Sequence, residues 1–190
     1  MNGEPDPPLD ERSLVEQARR DPEAFADLYR RYLPRVYTFA YRRTGSAAAA
    51  EDVTSAAFER ALRSLDSFTW RAGGFGPWLF RIAANELVDH YRREARASSD
   101  RAQRAGLAIL AAEPSDPADE VASRDAALEV LAAMNELSPR YQRALSLRFL
   151  SGLSADEAAA AMGISKATMA VVVHRAIRAL RRAMTPVGAR

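Results

Sequence analysis

The stretch SADEAAAAMGISKATMAVVVHRAIRAL (Ser154–Leu180) contains two helix starts separated by a glycine turn. Ser154 and Glu157 have the spacing of a capping box, in which each side chain accepts a hydrogen bond from a free backbone N–H. Gly163 can end this first helix, and Ser165 can cap the next one. A short helix, a tight turn and a longer helix form the layout of a helix-turn-helix, whose second helix enters the major groove of DNA. Because capped helix pairs also occur in other proteins, the pattern alone does not establish DNA binding.

The second helix of this stretch divides into two faces when residues are spaced at about 100° each. One sector is apolar and is predicted to be buried; it comprises Met169, Val173, Ala176, Ile177 and Leu180. The opposite sector is predicted to face solvent; it comprises Ala167, Ala170, Val171, His174, Arg178 and Arg181. Val172 lies on a flank. Core packing therefore accounts for Val173 but leaves Val171 exposed.

Helical periodicity also dominates the rest of the chain, and no segment alternates with the period of a strand. Four further helices are predicted towards the N-terminus. The first three run from Asp10 to about Arg20, from Asp21-Pro22 to Gly45, and from about Ala47 to Ser64. The fourth starts at Pro77, after the glycine-rich loop SFTWRAGGFGP. Helical spacing returns at Val121, and Ser138-Pro139 starts the helix before the helix-turn-helix. The sequence predicts an all-α fold.

A change in composition divides the chain into two lobes. The segment EPSDPADE combines two prolines with several acidic residues, which is typical of a linker. We predict a first helical domain over residues 10–96, a flexible linker over 97–119, and a second domain, with the helix-turn-helix, over 120–185. Residues 1–9 are predicted to be a disordered tail, and 186–190 a second tail.

Composition limits the kinds of site that the chain can hold. Its 190 residues include no cysteine and two histidines, His90 and His174, that lie far apart, so we expect no metal and no cofactor. No phosphate loop or nucleophile–base motif indicates an enzyme. The longest apolar run is too short to span a bilayer, which predicts a soluble, cytoplasmic protein without membrane insertion. Arginines cluster in two places, around residues 92–104 and 175–182, which suggests two contacts with a polyanion or, alternatively, solvated helix faces.

Three motifs resemble the small bacterial RNA polymerase sigma factors of the extracytoplasmic-function (ECF) group. They are WLFRIAANELVDHYRR (78–93), AEDV with Phe58 (50–58), and LSPRYQRALSLRFLSGLSADEAAAAMGIS (137–165). The resemblance covers about residues 11–183. It implies an alternative sigma factor, which is not an enzyme but directs RNA polymerase core to promoters and joins the nucleoid as part of the holoenzyme. Implied partners are the beta-prime clamp helices, the beta flap, promoter DNA and an anti-sigma factor. The apolar piece 106–112 of the linker would thread along the polymerase.

In this family the first domain melts the minus-ten promoter element and captures an unstacked base. Capture needs aromatic rings to stack, polar groups to read base edges and cations to hold phosphates. The resemblance assigns these roles to Ser64, Phe68, Phe75, Phe80, Arg81, Asn85, Asp89, Arg92 and Arg93. For Trp78 we favour core packing over a role in DNA binding.

The polymerase-facing helix departs from the family pattern. Ala49 and Ala56 stand where the family usually has acidic residues, which leaves Glu51, Asp52 and Phe58 as the expected contacts with core polymerase. The acidic pair can also be read as ordinary charges at a helix N-terminus.

For the minus-thirty-five element the resemblance implies contacts from the last helix. We predict them at Lys166, Thr168, Ala170, Val171, His174, Arg175 and Arg178. The family usually has lysine, serine and arginine at positions 170–172, so the apolar residues here allow two interpretations. Val171 could pack against thymine methyl groups, or this face could bind a protein partner. The second interpretation fits a degenerate sigma-like regulator that acts through protein–protein interaction. An ordinary helix-turn-helix regulator would leave the 78–93 motif unexplained.

Overall fold

The computed structural model describes residues 10–71, 73–104 and 118–185, without the side chains of residues 98–104 and 118–125. The described residues form helices and no strand, which confirms the predicted all-α fold. The helices are α1 Glu11–Ala18, α2 Pro22–Thr44, α3 Ala47–Ser64, α4 Phe75–Arg104, α5 Ala118–Asn135, α6 Pro139–Phe149, α7 Ala155–Met162 and α8 Lys166–Met184. None of the described helices is long and apolar enough to cross a membrane.

The helix caps are those that the sequence predicts. The carboxylate of Asp10 accepts a hydrogen bond from the Ser13 backbone N–H at 2.9 Å. Ser154 and Glu157 form a complete capping box at the start of α7, with distances of 2.8 and 3.2 Å. Gly163 then has a φ of 67°, a left-handed conformation that glycine adopts without steric cost and that turns the chain into α8.

Two boundaries of α4 differ from the prediction. The helix begins at Phe75 and not at Pro77, because the Glu11 carboxylate of α1 accepts a hydrogen bond from the Phe75 backbone N–H at 3.1 Å. It continues to Arg104, so the start of the predicted linker is helical. The end of the predicted linker is helical too, because α5 begins at Ala118. Residues 105–117, which include the apolar piece 106–112, and both predicted tails lie outside the described residues.

The core of the first lobe is built from α1 to α4. Leu28, Val36 and Phe39 of α2 are fully buried against α3 and α4. The Phe39 ring meets the Phe80 ring of α4 edge-on, with ring centroids 5.4 Å apart. A second aromatic group surrounds Phe75 at the start of α4, where its ring packs against the rings of Tyr32, Phe68 and Trp78.

The second lobe packs directly on the first, and one apolar cluster runs through both. Ala144 and Leu147 of α6 and Ala158 of α7 belong to the same buried cluster as the residues of the first lobe. A smaller cluster inside the second lobe joins α5 and α6 to Ala176 of α8. The helix-turn-helix is therefore held against α4 as well as by its own packing.

One prediction for α8 is wrong. Val172, placed on the flank, is buried with 5% of its surface exposed, whereas Val173, Ile177 and Leu180 are only partly buried. The reason is that α8 packs against α5, α6 and α7 together, which widens its buried sector on the Val172 side.

Candidate nucleic-acid interface

The glycine-rich loop before α4 is held in place by Glu11 of α1 and by Arg19, the residue that follows this helix. The Arg19 guanidinium donates a hydrogen bond to the Phe68 carbonyl oxygen. The Glu11 carboxylate accepts from the Phe75 backbone N–H and also from the Tyr32 hydroxyl. Burial and the neighbouring Glu11 carboxylate raise the pKa of Tyr32. Our sequence analysis missed Glu11 and Arg19, since nothing in their local pattern distinguishes them from ordinary surface charges.

Three aromatic rings predicted to stack on DNA bases are buried instead. Phe75 and Phe80 have no exposed surface, and Phe68 has 4%. Phe68 lies edge-on to Phe75 at a centroid distance of 5.9 Å and packs against Trp78 at 4.9 Å. These rings fill the contact between the loop and the helices below it. Because no ring face is open to solvent, a base could stack on none of the three without local opening.

A cleft lies above these rings, between the loop and α7. Its volume is about 150 Å³. The first lobe contributes the half-buried Trp78 ring, the exposed Arg81 guanidinium and the hydroxyls of Ser67 and Thr69. A ring, a cation and two hydroxyls together suit a flipped nucleobase with its phosphate. The nearby Ser64 hydroxyl donates to the Arg60 carbonyl oxygen within α3 and does not line the cleft.

The polar side chains predicted on α4 follow the cleft along one side of the helix. Asn85 is half-buried, and its side-chain oxygen accepts a hydrogen bond from Nη1 of Arg143 in α6 at 3.0 Å. Asp89 lies 3.7 Å from the Arg92 guanidinium, and Arg93 donates to the Asp89 carbonyl oxygen at 3.4 Å. The structure therefore brings together one amide, one carboxylate and two exposed guanidinium groups.

The outer face of α8 is free of contacts with the rest of the described chain over most of its length. All seven predicted minus-thirty-five residues are exposed, and Val171 exposes 49% of its surface. Lys166 forms an ion pair with Asp156 of α7 at 3.0 Å. The result is an apolar centre, Ala170 and Val171, with basic side chains on either side along the helix.

The three residues predicted to contact core polymerase divide into two groups. Glu51 and Asp52 are exposed in the first turns of α3. Phe58 is not available, because it is buried with 3% of its surface exposed and its ring packs 4.6 Å from the Tyr29 ring. Tyr29 packs against this ring and exposes 38% of its own surface.

Comparison with known proteins places both lobes in a family. Residues 28–97 match the family Sigma-70 region 2, and residues 127–180 match the family Sigma-70, region 4. The chain is 33% identical over 161 residues to the RNA polymerase sigma factor CarQ of Myxococcus xanthus, a match that covers 84% of this chain and 88% of CarQ. The chain belongs to the ECF RNA polymerase sigma factors.

Other sigma factors extend this comparison. The chain is 36% identical over 177 residues to the ECF sigma factor BldN of Streptomyces coelicolor, which covers 89% of this chain but only 64% of BldN. In three dimensions it is similar to the sigma factor RpoE from Bartonella quintana, solved in complex with the anti-sigma factor NepR. The TM-score is 0.53 and the sequence identity is 26%, with 85% of this chain and 97% of RpoE covered.

The two sigma regions divide the predicted site residues between them. Every predicted minus-ten and polymerase contact lies within the region 2 match, and every predicted minus-thirty-five contact lies within the region 4 match. Helix α1 and its C-cap residue Arg19 precede the region 2 match, yet Glu11 and Arg19 hold the glycine-rich loop beside the cleft. The supporting residues of this sigma factor thus reach beyond the matched segment.

Proposed function

We propose that this chain is an alternative sigma factor, a dissociable subunit that directs bacterial RNA polymerase to specific promoters and assists their melting. One observation carries the proposal. Trp78 and Arg81, which line the cleft, and the polar side chains of Asn85 and Asp89 lie along the same side of α4. Polymerase core performs nucleotide transfer, and the sigma subunit contributes no catalytic residue, cofactor or metal.

Roles for the minus-ten residues follow from their positions. The cleft takes one unstacked base of the non-template strand, with Trp78 as the stacking surface in place of the buried rings of Phe68, Phe75 and Phe80. Asn85 and Asp89 read base edges next to the cleft. Arg81, Arg92 and Arg93 hold phosphates, which positions the strand without reading its sequence.

Contacts with the minus-thirty-five element come from the exposed face of α8. Lys166, Arg175 and Arg178 meet phosphates, and Thr168 and His174 donate or accept hydrogen bonds at base edges. Val171 and Ala170 pack against thymine methyl groups. Basic residues on both sides of these apolar side chains favour a polyanionic partner.

Polymerase core and an anti-sigma factor are the proposed protein partners. Glu51 and Asp52 of α3 face the beta-prime clamp helices, and the second lobe meets the beta flap. As part of the holoenzyme, the protein acts in the cytoplasm at the nucleoid. The similarity to RpoE, whose structure contains an anti-sigma factor, supports the second partner. The alternative function, a degenerate regulator that binds partners without starting transcription, is favoured by Ala49, Ala56 and the exposed Val171.

One reconstitution distinguishes these functions. The protein is combined with core polymerase, and transcripts are mapped on genomic DNA; specific start sites support a sigma factor, and core binding without start sites supports the regulator. On a promoter found in this way, we expect Asn85→Ala to reduce open-complex formation while core affinity is unchanged. A promoter with a pre-melted bubble should restore much of the loss. Collapse of core affinity with no rescue by the bubble would show that Asn85 is structural.

A further inference from the structure

The glycine-rich loop before α4 is attached at both of its ends to the N-terminal segment 11–19. At one end, the Arg19 guanidinium donates a hydrogen bond to the Phe68 carbonyl oxygen. At the other end, Oε2 of Glu11 accepts a hydrogen bond from the Phe75 backbone N–H at 3.1 Å. Phe68 and Gly74, the residue before Phe75, both line the cleft. The two attachment points therefore lie at the cleft itself.

Glu11 supplies a helix cap that the sequence next to α4 does not provide. The first backbone N–H groups of a helix have no partner inside the helix, and a side-chain oxygen just before the helix usually satisfies one of them. Here the two preceding residues are Gly73 and Gly74, which have no side chain. The carboxylate of Glu11, 64 positions away from Phe75, takes this role. Its negative charge is also favourable at the positive end of the helix dipole.

Two glycines of the GGFGP motif leave the space that this carboxylate needs. A Cβ atom added to Gly74 would lie 2.6 Å from Oε2 of Glu11, closer than van der Waals contact allows. A Cβ atom added to Gly76 would lie 3.1 Å from the Tyr32 hydroxyl, which donates a hydrogen bond to Oε1 of Glu11. Each carboxylate oxygen of the half-buried Glu11 thus has a partner within the protein. Any effect of Glu11 on DNA is therefore exerted through the loop.

We infer that Glu11 is a positioning residue of the strand-capture site, which holds the loop in the shape that selects the captured base. This inference rests on the proposed function, in which the cleft takes one unstacked base. Selection requires that the hydroxyls of Ser67 and Thr69, which line the cleft, stay where they can bond to one base and not to the others. Without the carboxylate, Gly73 and Gly74, with φ of 101° and 76°, gain freedom to rotate. An entering base then has to order the loop, which costs binding free energy and weakens selection.

Base selection is measured with core polymerase on a promoter from the transcript map. Four templates differ only in one base of the non-template strand, at the melted minus-ten position where the wild-type protein discriminates most strongly. The readout, here called the selection ratio, is the open-complex yield of the best base divided by that of the worst. We expect Glu11→Ala to lower the selection ratio by about fivefold, the size expected when one hydrogen bond is lost. Affinity for core polymerase should stay at its wild-type value.

Matched variants separate positioning from a purely structural role. Gln17→Ala truncates an exposed side chain of the same helix and should leave the selection ratio unchanged. Glu11→Gln keeps an oxygen that can accept the same hydrogen bond and should restore part of the ratio. Arg19→Met releases the other end of the loop and should lower the ratio as well, whereas Arg20→Met, at an exposed neighbouring arginine, should not. If Glu11→Ala fails to fold, Glu11→Gln and Arg19→Met provide the test.

A spectroscopic measurement reports on the loop without DNA or polymerase. In a Trp78→Phe background, used for spectroscopy alone, Trp70 of the loop is the only remaining tryptophan. Its ring lies 3.4 Å from the position of a Cβ atom added to Gly74, next to the Glu11 carboxylate. We expect acrylamide to quench Trp70 fluorescence more strongly after Glu11→Ala than after Gln17→Ala. Equal quenching would show that the loop keeps its shape without the carboxylate, and it would overturn the positioning role.

The outcomes distinguish failure of this inference from failure of the proposed function. If Glu11→Ala lowers the yields on all four templates by the same factor, Glu11 is structural and its role in selection is overturned. Specific transcripts with equal use of the four bases at every minus-ten position would also overturn the inference, while the sigma function stands. Absence of specific transcripts with wild-type protein would instead reject the sigma function, and the role in base selection with it. A lower selection ratio after Glu11→Ala and Arg19→Met, with both control variants unchanged, supports the inference.

Discussion

Val171 offers the most direct test of how the apolar face of α8 is used. Its side chain exposes 49% of its surface. Complete burial of a valine is worth about 1.5–3 kcal/mol, so covering the exposed half with a thymine methyl group contributes roughly 1 kcal/mol. Val171→Ser removes most of this apolar contact. We therefore expect about a fivefold loss of affinity for the minus-thirty-five element, from a contact that depends little on salt.

The assay is fluorescence anisotropy with a duplex taken from a mapped promoter. Replacing the contacted thymine by uracil removes only the methyl group, so the parent protein should lose about as much affinity as it does through Val171→Ser. The Val171→Ser variant should lose little further affinity on the uracil duplex. Arg178→Ala serves as the contrast, because loss of a phosphate contact weakens binding to all sequences and makes the salt dependence shallower.

One result would refute the methyl contact. If Val171→Ser binds both duplexes as tightly as the parent but loses a protein partner in pull-down with purified components, the apolar face of α8 belongs to that partner. The basic side chains beside it would then act on DNA without any contribution from Val171.

Three further predictions concern other parts of the molecule. Replacing Glu51 and Asp52 together by alanine should weaken core binding at low salt, and added salt should shrink the difference; equal affinity at low salt would remove this pair from the interface. Ser154→Ala removes one half of the capping box and should lower the free energy of unfolding by about 1 kcal/mol in urea melts, whereas an unchanged midpoint would mean that α7 is held by packing alone. Burial raises the pKa of Tyr91 above its ordinary value near 10, so its contribution to stability is present below pH 10 and is lost as the pH rises through the folded pKa. Melts of wild type and Tyr91→Phe should therefore converge above pH 10, and parallel curves would contradict this.

The helices were predictable because their signals are local. A cap such as Ser154 and its partner Glu157 lie within one turn, and the period of apolar residues is set by helix geometry itself. The helix-turn-helix and the all-α class follow from such patterns. The same holds for the exposure of Val171, which depends mainly on its angle around α8.

Burial of the aromatic residues could not be decided from the same patterns. Phe80 of α4 is followed by the polar Arg81 and, four residues on, by the apolar Ala84. These neighbours do not show whether the Phe80 ring meets solvent or packs against Phe39 of α2. Phe58 is hidden for the same reason by Tyr29. A ring suited to stacking on a base is also suited to a core, so only the packing of the helices distinguishes the two roles.

The sequence by itself determined the helices, their caps, the two lobes and the family to which they belong, since each depends on short-range spacing or on motifs read along the chain. Only the tertiary structure decided how the lobes meet. The bond between Asn85 and Arg143 joins residues 58 positions apart, and that between Arg43 and Asn135 joins residues 92 positions apart. Such contacts form only when separate apolar faces pack into one core, and their energies depend on burial that no local pattern specifies.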